Sequence, residues 1–465
     1  MISTIIDNTK VTVTSELIQR YDQPLPRYTS YPTAPVWTEV AGDEIYRAAL
    51  VRVAKKSEQQ AISLYVHLPF CEKHCTFCAC HVIATPKRAV IDPYLANLAT
   101  ELRLLSAQLG KKIPVRQLHW GGGTPTYLDE AQLRQLMSML REHFIFTSDA
   151  EISVEADPRW TDAAKLKVLR EIGFNRVSFG VQDVDHEVQV AAGRVQPIEL
   201  VEDCIVAARE LKFSSVNLDL IYGLPLQTLK SWQQTLDTVL KLSPDRIALF
   251  SFAYVPWLKP QMRSMDPLSL PQADLKVQFF ANAIQHFSEA GYQFIGLDHF
   301  AKRNDELAIA HREKTLHRNF QGYSTNAGLD MLGVGLTSIG FVDGVYVQNE
   351  KKLSTYEQKL NAGQLTTERV CELNADDHLR YWVISRIFCR QSVQKAEFAA
   401  AWQQDFDQYF VEQLPQLAQL EQDGFITHSA TELSVTALGR FFIRNVAAVF
   451  DAYLNGGSGR FSRSV

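Results

Sequence analysis

One short segment of the chain concentrates four cysteines, which are Cys71, Cys75, Cys78 and Cys80. Thiolates are soft ligands that suit both zinc and iron–sulfur clusters. The first three are spaced by three and then by two residues, on a loop predicted to follow a strand. Three thiolates can hold three corners of a cuboidal [4Fe–4S] cluster and leave the fourth iron open, as catalytic metals require. We therefore predict that Cys71, Cys75 and Cys78 bind such a cluster.

An open iron can take the amino and carboxylate groups of S-adenosylmethionine (SAM). One electron from the reduced cluster then breaks a sulfur–carbon bond and leaves a 5′-deoxyadenosyl radical. The alternative is a structural zinc ion held by all four cysteines. Such zinc sites usually pair two Cys or His hairpins that lie far apart, and the sequence has no second hairpin. Cys80 is either a fourth ligand, which would close the site, or a free thiol nearby, and we expect the free thiol.

Strand-like segments alternate with helical patterns around the cysteine loop. The strand-like segments are 62–70, 117–122, 151–155, 176–181, 216–222 and 246–254. Helical periodicity is clearest after Asp92, where leucines recur at steps of three and four until Gly110. Such alternation predicts a parallel sheet with right-handed crossovers. We predict an α/β fold, a (β/α)6 partial TIM-like barrel, with the cysteine loop at the carboxyl end of a strand, where active sites gather.

The predicted organisation has three parts, which are an N-terminal arm (1–54), the barrel with a following substrate-cavity segment (55–375) and a mainly helical C-terminal domain (376–465). The arm is rich in proline after residue 23, and we expect it to lack regular structure. In the C-terminal domain, segments 424–427 and 432–436 predict a hairpin followed by a helix from Ala437, which resembles a winged-helix unit. Since no basic stripe accompanies it, a packing role is favoured over DNA binding.

The overall composition excludes several classes of protein. The chain has 465 residues, a net charge of −5 and 46% hydrophobic residues, which is typical of a soluble globular protein. Its charge gives no drive toward nucleic acid or anionic membrane. It has no apolar run of about 20 residues and no secretory signal, so we expect a cytoplasmic protein. The remaining cysteines, Cys204, Cys371 and Cys389, are predicted to be ordinary buried thiols.

Five longer motifs narrow the assignment, and they are 26–34 (PRYTSYPTA), 118–126 (LHWGGGTPT), 180–183 (GVQD), 217–225 (NLDLIYGLP) and 317–323 (HRNFQGY). Together with the cysteine spacing, they resemble the family of oxygen-independent coproporphyrinogen III oxidases, which are radical SAM enzymes. The resemblance covers nearly the whole chain. One departure is Ala79, because the family usually has glycine between the last two cysteines. Thr76 also stands where an aromatic residue is common.

The resemblance implies one [4Fe–4S] cluster and two molecules of SAM. Contacts to the first SAM are implied for Tyr65, Gly122, Glu155 and Ile339. Contacts to the second are implied for Phe77, Gly123, Thr124, Gln182, Arg194, Asp219 and Ala253. Glycines let backbone groups approach a cofactor, although a tight turn would also explain them. An arginine can form a two-pronged pair with a carboxylate, and strand-end carboxylates can accept hydrogen bonds from ribose hydroxyls.

The resemblance also implies catalytic roles for Tyr65, His67, Glu155, Phe320 and Gln321. A single histidine on a strand is more often a satisfied core residue, and a single strand-end glutamate is more often solvated. Phe320 and Gln321 are expected to line the substrate cavity. Arg27 in the arm could pair with a substrate carboxylate, although solvation is the commoner fate of one arginine.

The activity implied is oxidative decarboxylation of two propionates of coproporphyrinogen III, which gives the vinyl groups of protoporphyrinogen IX in haem biosynthesis. A radical is needed because the β-carbon–hydrogen bond is unactivated and lies beyond acid–base catalysis. The expected partners are this substrate and a flavodoxin- or ferredoxin-type electron donor, and we expect a monomer with no nucleic-acid partner. The alternatives are a haem-binding chaperone, whose His-Asn-x-x-Tyr-Trp run is absent here, a haem-modifying radical SAM paralogue and an electron-transfer protein.

Overall fold

The computed structural model describes residues 1–39, 43–56, 60–454 and 461–464. The glycine- and serine-rich stretch around Gly456 lies outside the described residues. The chain divides into two compact units. The cysteine unit consists of Trp37–Asp219 and Gly328–Leu373, and the arm unit consists of Met1–Val36, Leu220–Ala327 and Asn374–Val465.

The strands, in chain order, are β1 (Ile2–Ile6), β2 (Thr9–Val13), β3 (Thr38–Glu39), β4 (Ile62–Leu68), β5 (Phe70–Cys71), β6 (Ile83–Ala84), β7 (Ile113–Gly122), β8 (Phe144–Ala156), β9 (Arg176–Gln182), β10 (Ser215–Tyr222), β11 (Arg246–Ser251), β12 (Tyr292–Gly296), β13 (His299–Lys302), β14 (His317–Asn319), β15 (Gly322–Ser324), β16 (Met331–Val334), β17 (Ile339–Val342), β18 (Val345–Asn349), β19 (Thr367–Glu372), β20 (Ser392–Gln394), β21 (Ile426–His428) and β22 (Glu432–Val435).

The α-helices are α1 (Ser15–Tyr21), α2 (Asp43–Lys56), α3 (Ile91–Leu109), α4 (Glu130–His143), α5 (Ala163–Glu171), α6 (His186–Ala191), α7 (Ile198–Glu210), α8 (Leu229–Leu242), α9 (Ala273–Glu289), α10 (Glu306–Arg312), α11 (Leu353–Asn361), α12 (Ala375–Arg390), α13 (Lys395–Trp402), α14 (Phe406–Tyr409), α15 (Leu414–Gln422) and α16 (Ile443–Ala448).

A mixed sheet forms the centre of the cysteine unit. Its strand order is β9-β8-β7-β4-β16-β17-β18-β19-β3. Strands β4, β7, β8 and β9 are parallel to their neighbours, as the sequence predicts, and β16 also runs parallel to β4. Strands β17, β18, β19 and β3 continue the sheet in antiparallel pairs. This order does not return on itself among the described residues, so the sheet is open, as expected of a partial barrel.

The antiparallel part of this sheet was not among the predicted strands. Strands β16 and β17 are short, and glycines interrupt their hydrophobic pattern. Two of these glycines are required by close backbone contact. A Cβ atom on Gly333 would lie 2.8 Å from Ile339 C, and one on Gly340 would lie 2.7 Å from Met331 O. These glycines therefore allow two strands to pack closely, whereas glycines in a sequence usually indicate a loop.

The first helix of the predicted barrel is confirmed as α3. It begins at Ile91, so Asp92 lies in the first turn and does not cap the helix. A carboxylate in the first turn still favours the helix dipole. Gly110 ends the helix in the left-handed conformation at φ +69°. The predicted apolar face is buried and consists of Leu95, Leu98, Leu102, Leu105 and Leu109.

The expectation that the arm lacks regular structure is wrong. Strands β1 and β2 form a hairpin, and helix α1 follows them. Asp7 and Asn8 supply the two positive φ angles of the tight turn, and Thr14 accepts the α1 cap hydrogen bond from Leu17 N at 3.3 Å. Prolines begin only at Pro24, and from there to residue 37 the regular structure is a single short 3-10 turn. Helix α2 also begins within the predicted arm and ends two residues beyond it, at Lys56.

The predicted C-terminal hairpin is confirmed as β21 and β22, which β20 extends to three strands. The helix predicted from Ala437 is wrong, because the next helix, α16, begins at Ile443. At Gly439 the chain passes so close to another backbone that a Cβ atom would lie 1.9 Å from Phe425 O. Residues 437–442 form turns instead of a helix, and the close approach of Gly439 to the Phe425 backbone leaves no room there for a side chain.

A buried carboxylate, Glu101 on α3, connects this helix to four segments of the cysteine unit between Gly335 and Thr366. It is 2% exposed and accepts four hydrogen bonds. The donors are Gly335 N at 2.8 Å, Asn349 Nδ2 at 2.6 Å, Tyr356 OH at 2.5 Å and Thr366 Oγ1 at 3.0 Å. Burial raises the pKa of Glu101, and the four donors oppose that rise. The side chain thus fixes the Gly335 turn, which follows β16.

Replacing Glu101 with alanine should lower the free energy of unfolding by at least about 3 kcal/mol, because four buried donors lose their acceptor. Urea unfolding followed by circular dichroism measures the change. The matched control is Arg103→Ala, which removes an exposed side chain from the same helix. Equal stability of the two variants would contradict a structural role for Glu101.

Candidate functional site

The cysteine loop is closed at its base by a short parallel strand pair. Strand β5 ends at Cys71, and β6 begins at Ile83. Ile83 N donates to Pro69 O at 2.7 Å, and Thr85 N donates to Cys71 O at 2.8 Å. The loop that carries Cys75, Cys78 and Cys80 is therefore held from both ends. A second anchor is Thr76, whose N–H donates to Ala192 O at 3.1 Å.

The seven cysteines, all of which lie in the described ranges, form no disulfide with one another, and their environments differ. Cys75 is buried, and Cys80 is exposed. Burial raises the pKa of Cys71 to about 11, although the Thr124 hydroxyl, 3.2 Å from its sulfur, opposes the rise. The hydrogen bond from Cys80 lowers the pKa of Cys78 well below its usual range. Cys80 therefore lies within hydrogen-bonding reach of Cys78, and its role beside the cluster stays a prediction.

The donor set is chemically suited to an iron–sulfur cluster. Cys71, Cys75 and Cys78 lie near enough for the charges of the other two to raise the pKa of Cys71. In the described part of the chain, however, no group of three or more Cys, His, Asp or Glu side chains could hold a metal ion. Each thiolate of a three-cysteine cluster site binds a different iron, so such sulfurs do not converge on one point.

Three glycines at the end of β7 bring the strand against the site. A Cβ atom on Gly122, at φ +113°, would lie 2.6 Å from the His67 ring. One on Gly121 would lie 2.9 Å from the Glu155 carboxyl group, and one on Gly123 would lie 2.7 Å from Phe70 O. Gly123 N also donates to Leu68 O at 2.8 Å. The glycine run therefore lets the base of the cysteine loop contact β7 directly.

Glu155, at the end of β8, meets this glycine run. Its Oε2 accepts a hydrogen bond from Gly122 N at 3.1 Å, and its Oε1 lies 3.3 Å from His119 Nε2. Burial alone would raise the pKa of Glu155, but the hydrogen bond and charge of His119 hold it below its usual range. The carboxylate is thus ionised, and 44% of its side chain remains exposed to solvent.

Tyr65 and His67 form a neutral pair on β4. The Tyr65 hydroxyl lies 2.9 Å from His67 Nδ1, and His67 Nε2 lies 3.1 Å from His81 O. A carbonyl oxygen only accepts, so the proton belongs on Nε2, and Nδ1 accepts from Tyr65. Burial lowers the pKa of His67 to about 4, which keeps the ring neutral. The Tyr65 ring stacks on His119 at 6.0 Å between centroids.

The segment from Gly333 to Ile339 lies along the opposite side of β4. Gly333 pairs with Tyr65 in the parallel register, and the Ile339 backbone packs against Gly333. Thr337 Oγ1 lies 3.5 Å from His67 Nε2. The structure therefore brings Ile339 next to the strand that carries Tyr65 and His67.

Gln182 and Arg194 come together over Gly180. A Cβ atom on Gly180 would lie 2.8 Å from Gln182 Nε2 and 3.0 Å from Arg194 Nη2. Gln182 ends β9 at φ +68°, which turns the chain out of the sheet. Arg194 donates to Gly180 O at 2.8 Å, while its buried Nε atom has no hydrogen-bond partner. An anionic ligand could satisfy this Nε atom.

Asp219 lies within β10 and is the second carboxylate of the site. It accepts hydrogen bonds from Ser178 at 3.0 Å and from Asn217 at 2.7 Å. Burial and the negative charge of Glu155 raise the pKa of Asp219 to about 7. The two carboxyl groups are therefore electrostatically coupled, and Glu155 is the more acidic.

Two charged residues at this site were missed by the sequence analysis, and they are Asp157 and Arg159. Asp157 is 5% exposed and pairs with Arg159 at 2.6 Å and with Arg194 at 3.0 Å. Arg194 Nη1 lies 3.8 Å from Cys75 Sγ, and Arg159 also donates to Cys75. The signal available was the run EADPR at 155–159, in which Asp157 caps a 3-10 turn. Two guanidinium groups thus neighbour Cys75, one of the three predicted cluster ligands.

Other predicted site residues are less constrained or lie elsewhere. Thr124 is buried beside Cys71, and Phe77 lies half-buried in the cysteine loop. Ala253, Phe320 and Gln321 belong to the arm unit, and the last two form the turn between β14 and β15. The Gln321 Nε2 atom is buried there without a hydrogen-bond partner. Most predicted residues of the cysteine unit therefore lie on neighbouring strands of one sheet, at or near the carboxyl ends of those strands.

Replacing Gly122 with alanine should lower the free energy of unfolding by about 2–4 kcal/mol, because the new Cβ clashes with His67 and φ is positive. The matched control is Gly110→Ala. Gly110 also has a positive φ, but a Cβ atom there meets nothing within 4 Å, so only about 1 kcal/mol should be lost. Thermal unfolding of both variants measures the difference, and similar losses would contradict the close packing of Gly122.

No helix in the described ranges combines the length and the apolar character needed to cross a membrane.

Comparison with known proteins gives extensive matches. Residues 65–239 match the model of the radical SAM superfamily, and residues 373–442 match the HemN C-terminal domain. The oxygen-independent coproporphyrinogen III oxidase of Synechocystis sp. is 42% identical over 461 residues, which cover 98% of each chain. The enzyme of the same name from Escherichia coli (strain K12) is 43% identical over 438 residues, or 94% of this chain and 95% of the relative.

A solved structure gives a match of similar extent. Coproporphyrinogen III oxidase (HemN) from Escherichia coli, described as a radical SAM enzyme, aligns with a TM-score of 0.89 and 41% sequence identity. The alignment covers 93% of this chain and 100% of the other.

Proposed function

Because this chain belongs to the family of oxygen-independent coproporphyrinogen III oxidases, which are radical SAM enzymes, we propose that it converts coproporphyrinogen III to protoporphyrinogen IX. Two propionate side chains would become vinyl groups. Each loses a hydrogen atom from its β-carbon, carbon dioxide from its carboxylate and one electron to an acceptor. The main support is identity above 40% over nearly the full length, together with a three-cysteine loop of matching spacing.

The family implies a [4Fe–4S] cluster and SAM, and the residues present fit both. Cys71, Cys75 and Cys78 would hold the cluster, on a loop closed by β5 and β6. When bound, the reduced cluster and SAM supply a 5′-deoxyadenosyl radical that can remove an unactivated hydrogen atom. Arg194 and Arg159 place two guanidinium groups beside the Cys75 sulfur, next to the position that the cluster would occupy.

The site residues of the cysteine unit would bind and orient SAM. Glu155 is ionised and half-exposed, so it can accept hydrogen bonds from a ribose or an ammonium group. The Tyr65 hydroxyl donates a hydrogen bond to His67 Nδ1, and its oxygen keeps lone pairs for a ligand donor. Gly122 and Ile339 would offer backbone groups beside them.

We also propose that a second SAM binds to the same unit. Asp219 and Gln182 would accept and donate hydrogen bonds to it, and the free Nε atom of Arg194 would donate to its carboxylate. Phe77, Gly123 and Thr124 would complete its contacts in this unit. The contacts of Ala253 with the second SAM and of Phe320 and Gln321 with the porphyrinogen stay predictions, because these three residues belong to the arm unit. A flavodoxin- or ferredoxin-type donor would deliver the electrons to a monomeric enzyme in the cytoplasm.

The activity is tested by anaerobic reconstitution with iron and sulfide, followed by incubation with reductant, SAM and coproporphyrinogen III. We expect protoporphyrinogen IX, two molecules of carbon dioxide per tetrapyrrole, and 5′-deoxyadenosine. The control is the Cys75→Ser variant, which should form none of these. Formation of 5′-deoxyadenosine without protoporphyrinogen IX would contradict the proposed substrate and leave the radical chemistry standing.

The cluster ligands are tested by single serine substitutions. Cys71→Ser, Cys75→Ser and Cys78→Ser should each lose most of the bound iron, because each removes one corner of the cluster. Cys80→Ser should keep the iron, and Cys371→Ser on β19 is the matched control. Iron and sulfide analysis with visible absorption spectra gives the result. Loss of iron from Cys80→Ser would mean that the fourth thiol is a ligand and that the cluster has no open corner.

A further inference from the structure

Two arginines of the cysteine unit lie beside the sulfur of Cys75, which is 8% exposed. Arg194 Nη1 lies 3.8 Å from Cys75 Sγ, and the Arg159 guanidinium group also donates to this sulfur. Only 10% of the Arg194 side chain and 25% of the Arg159 side chain are exposed. Two guanidinium groups beside one buried sulfur repel each other, so the arrangement needs an anion that offsets part of their charge.

Asp157 supplies this anion, and it contacts both guanidinium groups. Its Oδ2 accepts a hydrogen bond from Arg159 Nη2 at 2.6 Å and lies 3.0 Å from Arg194 Nη1. Its Oδ1 accepts from Arg159 Nε at 3.0 Å, so the pair with Arg159 is two-pronged. Burial alone would raise the pKa of Asp157, but the charge of Arg194 and the hydrogen bond from Arg159 hold it below its usual range. The carboxylate is therefore ionised.

Two buried threonines fix the main chain at Asp157. Asp157 N donates to Thr126 Oγ1 at 3.2 Å, and Thr161 Oγ1 donates to Asp157 O at 2.8 Å. Asp157 also caps the 3-10 turn Pro158–Trp160, because its Oδ1 accepts from Arg159 N at 3.0 Å. The carboxylate therefore has a fixed position, and its two oxygens determine where both guanidinium groups lie.

The contact of Arg194 with Cys75 uses a different nitrogen from the one proposed to meet SAM. Arg194 Nη1 contacts Asp157 and Cys75, and Nη2 donates to Gly180 O at 2.8 Å. The buried Nε atom lacks a partner among the described residues, and it stays available to a ligand. Arg194 can therefore act on the Cys75 sulfur whether or not SAM is bound.

Asp157, Arg159 and Arg194 together carry one net positive charge beside Cys75. Reduction of an iron–sulfur cluster adds one electron. Positive charge and N–H groups near a ligand sulfur therefore stabilise the reduced cluster more than the oxidised cluster, and they raise its reduction potential.

We propose that Arg159 and Arg194 raise the reduction potential of the cluster through Cys75, and that Asp157 is the positioning residue that holds both arginines at this sulfur. The inference rests on the proposed function, since it takes the cluster from it. The reduction potential decides which electron donors can reduce the cluster. Asp157 thus affects the reaction without contact to the substrate or to SAM.

The test measures the reduction potential of the reconstituted full-length protein, without SAM, in a dye-mediated titration followed by electron paramagnetic resonance. Arg159→Gln removes one charge and one contact to the Cys75 sulfur, and both losses favour the oxidised cluster. The equilibrium constant for reduction should fall about tenfold, which is about 59 mV for one electron. The matched control is Arg116→Gln, which alters an exposed arginine on β7 of the same unit and should leave the potential unchanged.

A conservative variant separates the charge of Arg159 from its shape. Arg159→Lys keeps the charge but lacks the planar fork that contacts Asp157 and Cys75 together. Its shift in potential should therefore be smaller than that of Arg159→Gln, and an equal shift would contradict the contribution of charge. Iron and sulfide contents should be equal in these proteins, because neither arginine is a ligand.

The positioning role of Asp157 is tested by a double-mutant cycle with Asp157→Asn. Asparagine has nearly the same shape, but its NH2 group cannot accept a hydrogen bond from a guanidinium group. Arg159 then loses one prong of its pair and is no longer held at Cys75. In this background, Arg159→Gln should change the reduction equilibrium by less than about threefold. A tenfold change in both backgrounds would mean that Asp157 offsets charge without positioning Arg159.

Two further outcomes would overturn the inference. They are an unchanged potential in Arg159→Gln and an equal shift in Arg159→Gln and Arg116→Gln, which would assign the effect to the overall charge. Product formation is assayed separately. A protein whose cluster potential depends on Arg159 but that forms no protoporphyrinogen IX would remove the proposed reaction and leave the inference in place. Formation of protoporphyrinogen IX with one potential shared by all variants would do the reverse.

Discussion

The close approach of β7 to the base of the cysteine loop is the constraint on which the rest of the site depends. Gly122 and Gly123 leave no space for a Cβ atom against His67 and Phe70. This contact places the end of β7, the Glu155 carboxylate and the cysteine loop within hydrogen-bonding reach of one another. Any side chain there would separate the strand from the loop. The absence of side chains on these glycines therefore determines how closely Glu155 and the cysteine loop approach β7.

The two carboxyl groups next to the glycine run, Glu155 and Asp219, differ in their ionisation. Hydrogen bonds from His119 and Gly122 lower the pKa of Glu155 and keep it ionised. Burial and the negative charge of Glu155 raise the pKa of Asp219 to about 7. Asp157 holds two arginines beside the Cys75 sulfur. The cysteine unit thus combines carboxylate acceptors with buried guanidinium groups near the cysteine loop.

The sequence predicts the cysteine loop and the parallel strands well, because both depend on local spacing and on hydrophobic runs. Strands β16 to β19 were not predicted, since Gly333 and Gly340 serve a packing contact that no local pattern records. The pairing of Asp157 with Arg194 was also missed, because it joins residues far apart in the chain. Conversely, the arm was expected to be irregular on its prolines, although its first residues have clear turn and cap signals in Asp7, Asn8 and Thr14.

The strand pair β5 and β6 separates the shape of the cysteine loop from its donor atoms. In small zinc domains the ligand loop takes its shape from the bound metal. Here Ile83 and Thr85 close the loop through main-chain hydrogen bonds, in which no cysteine side chain takes part. A change of one cysteine side chain therefore alters the donor set and leaves these closing bonds in place.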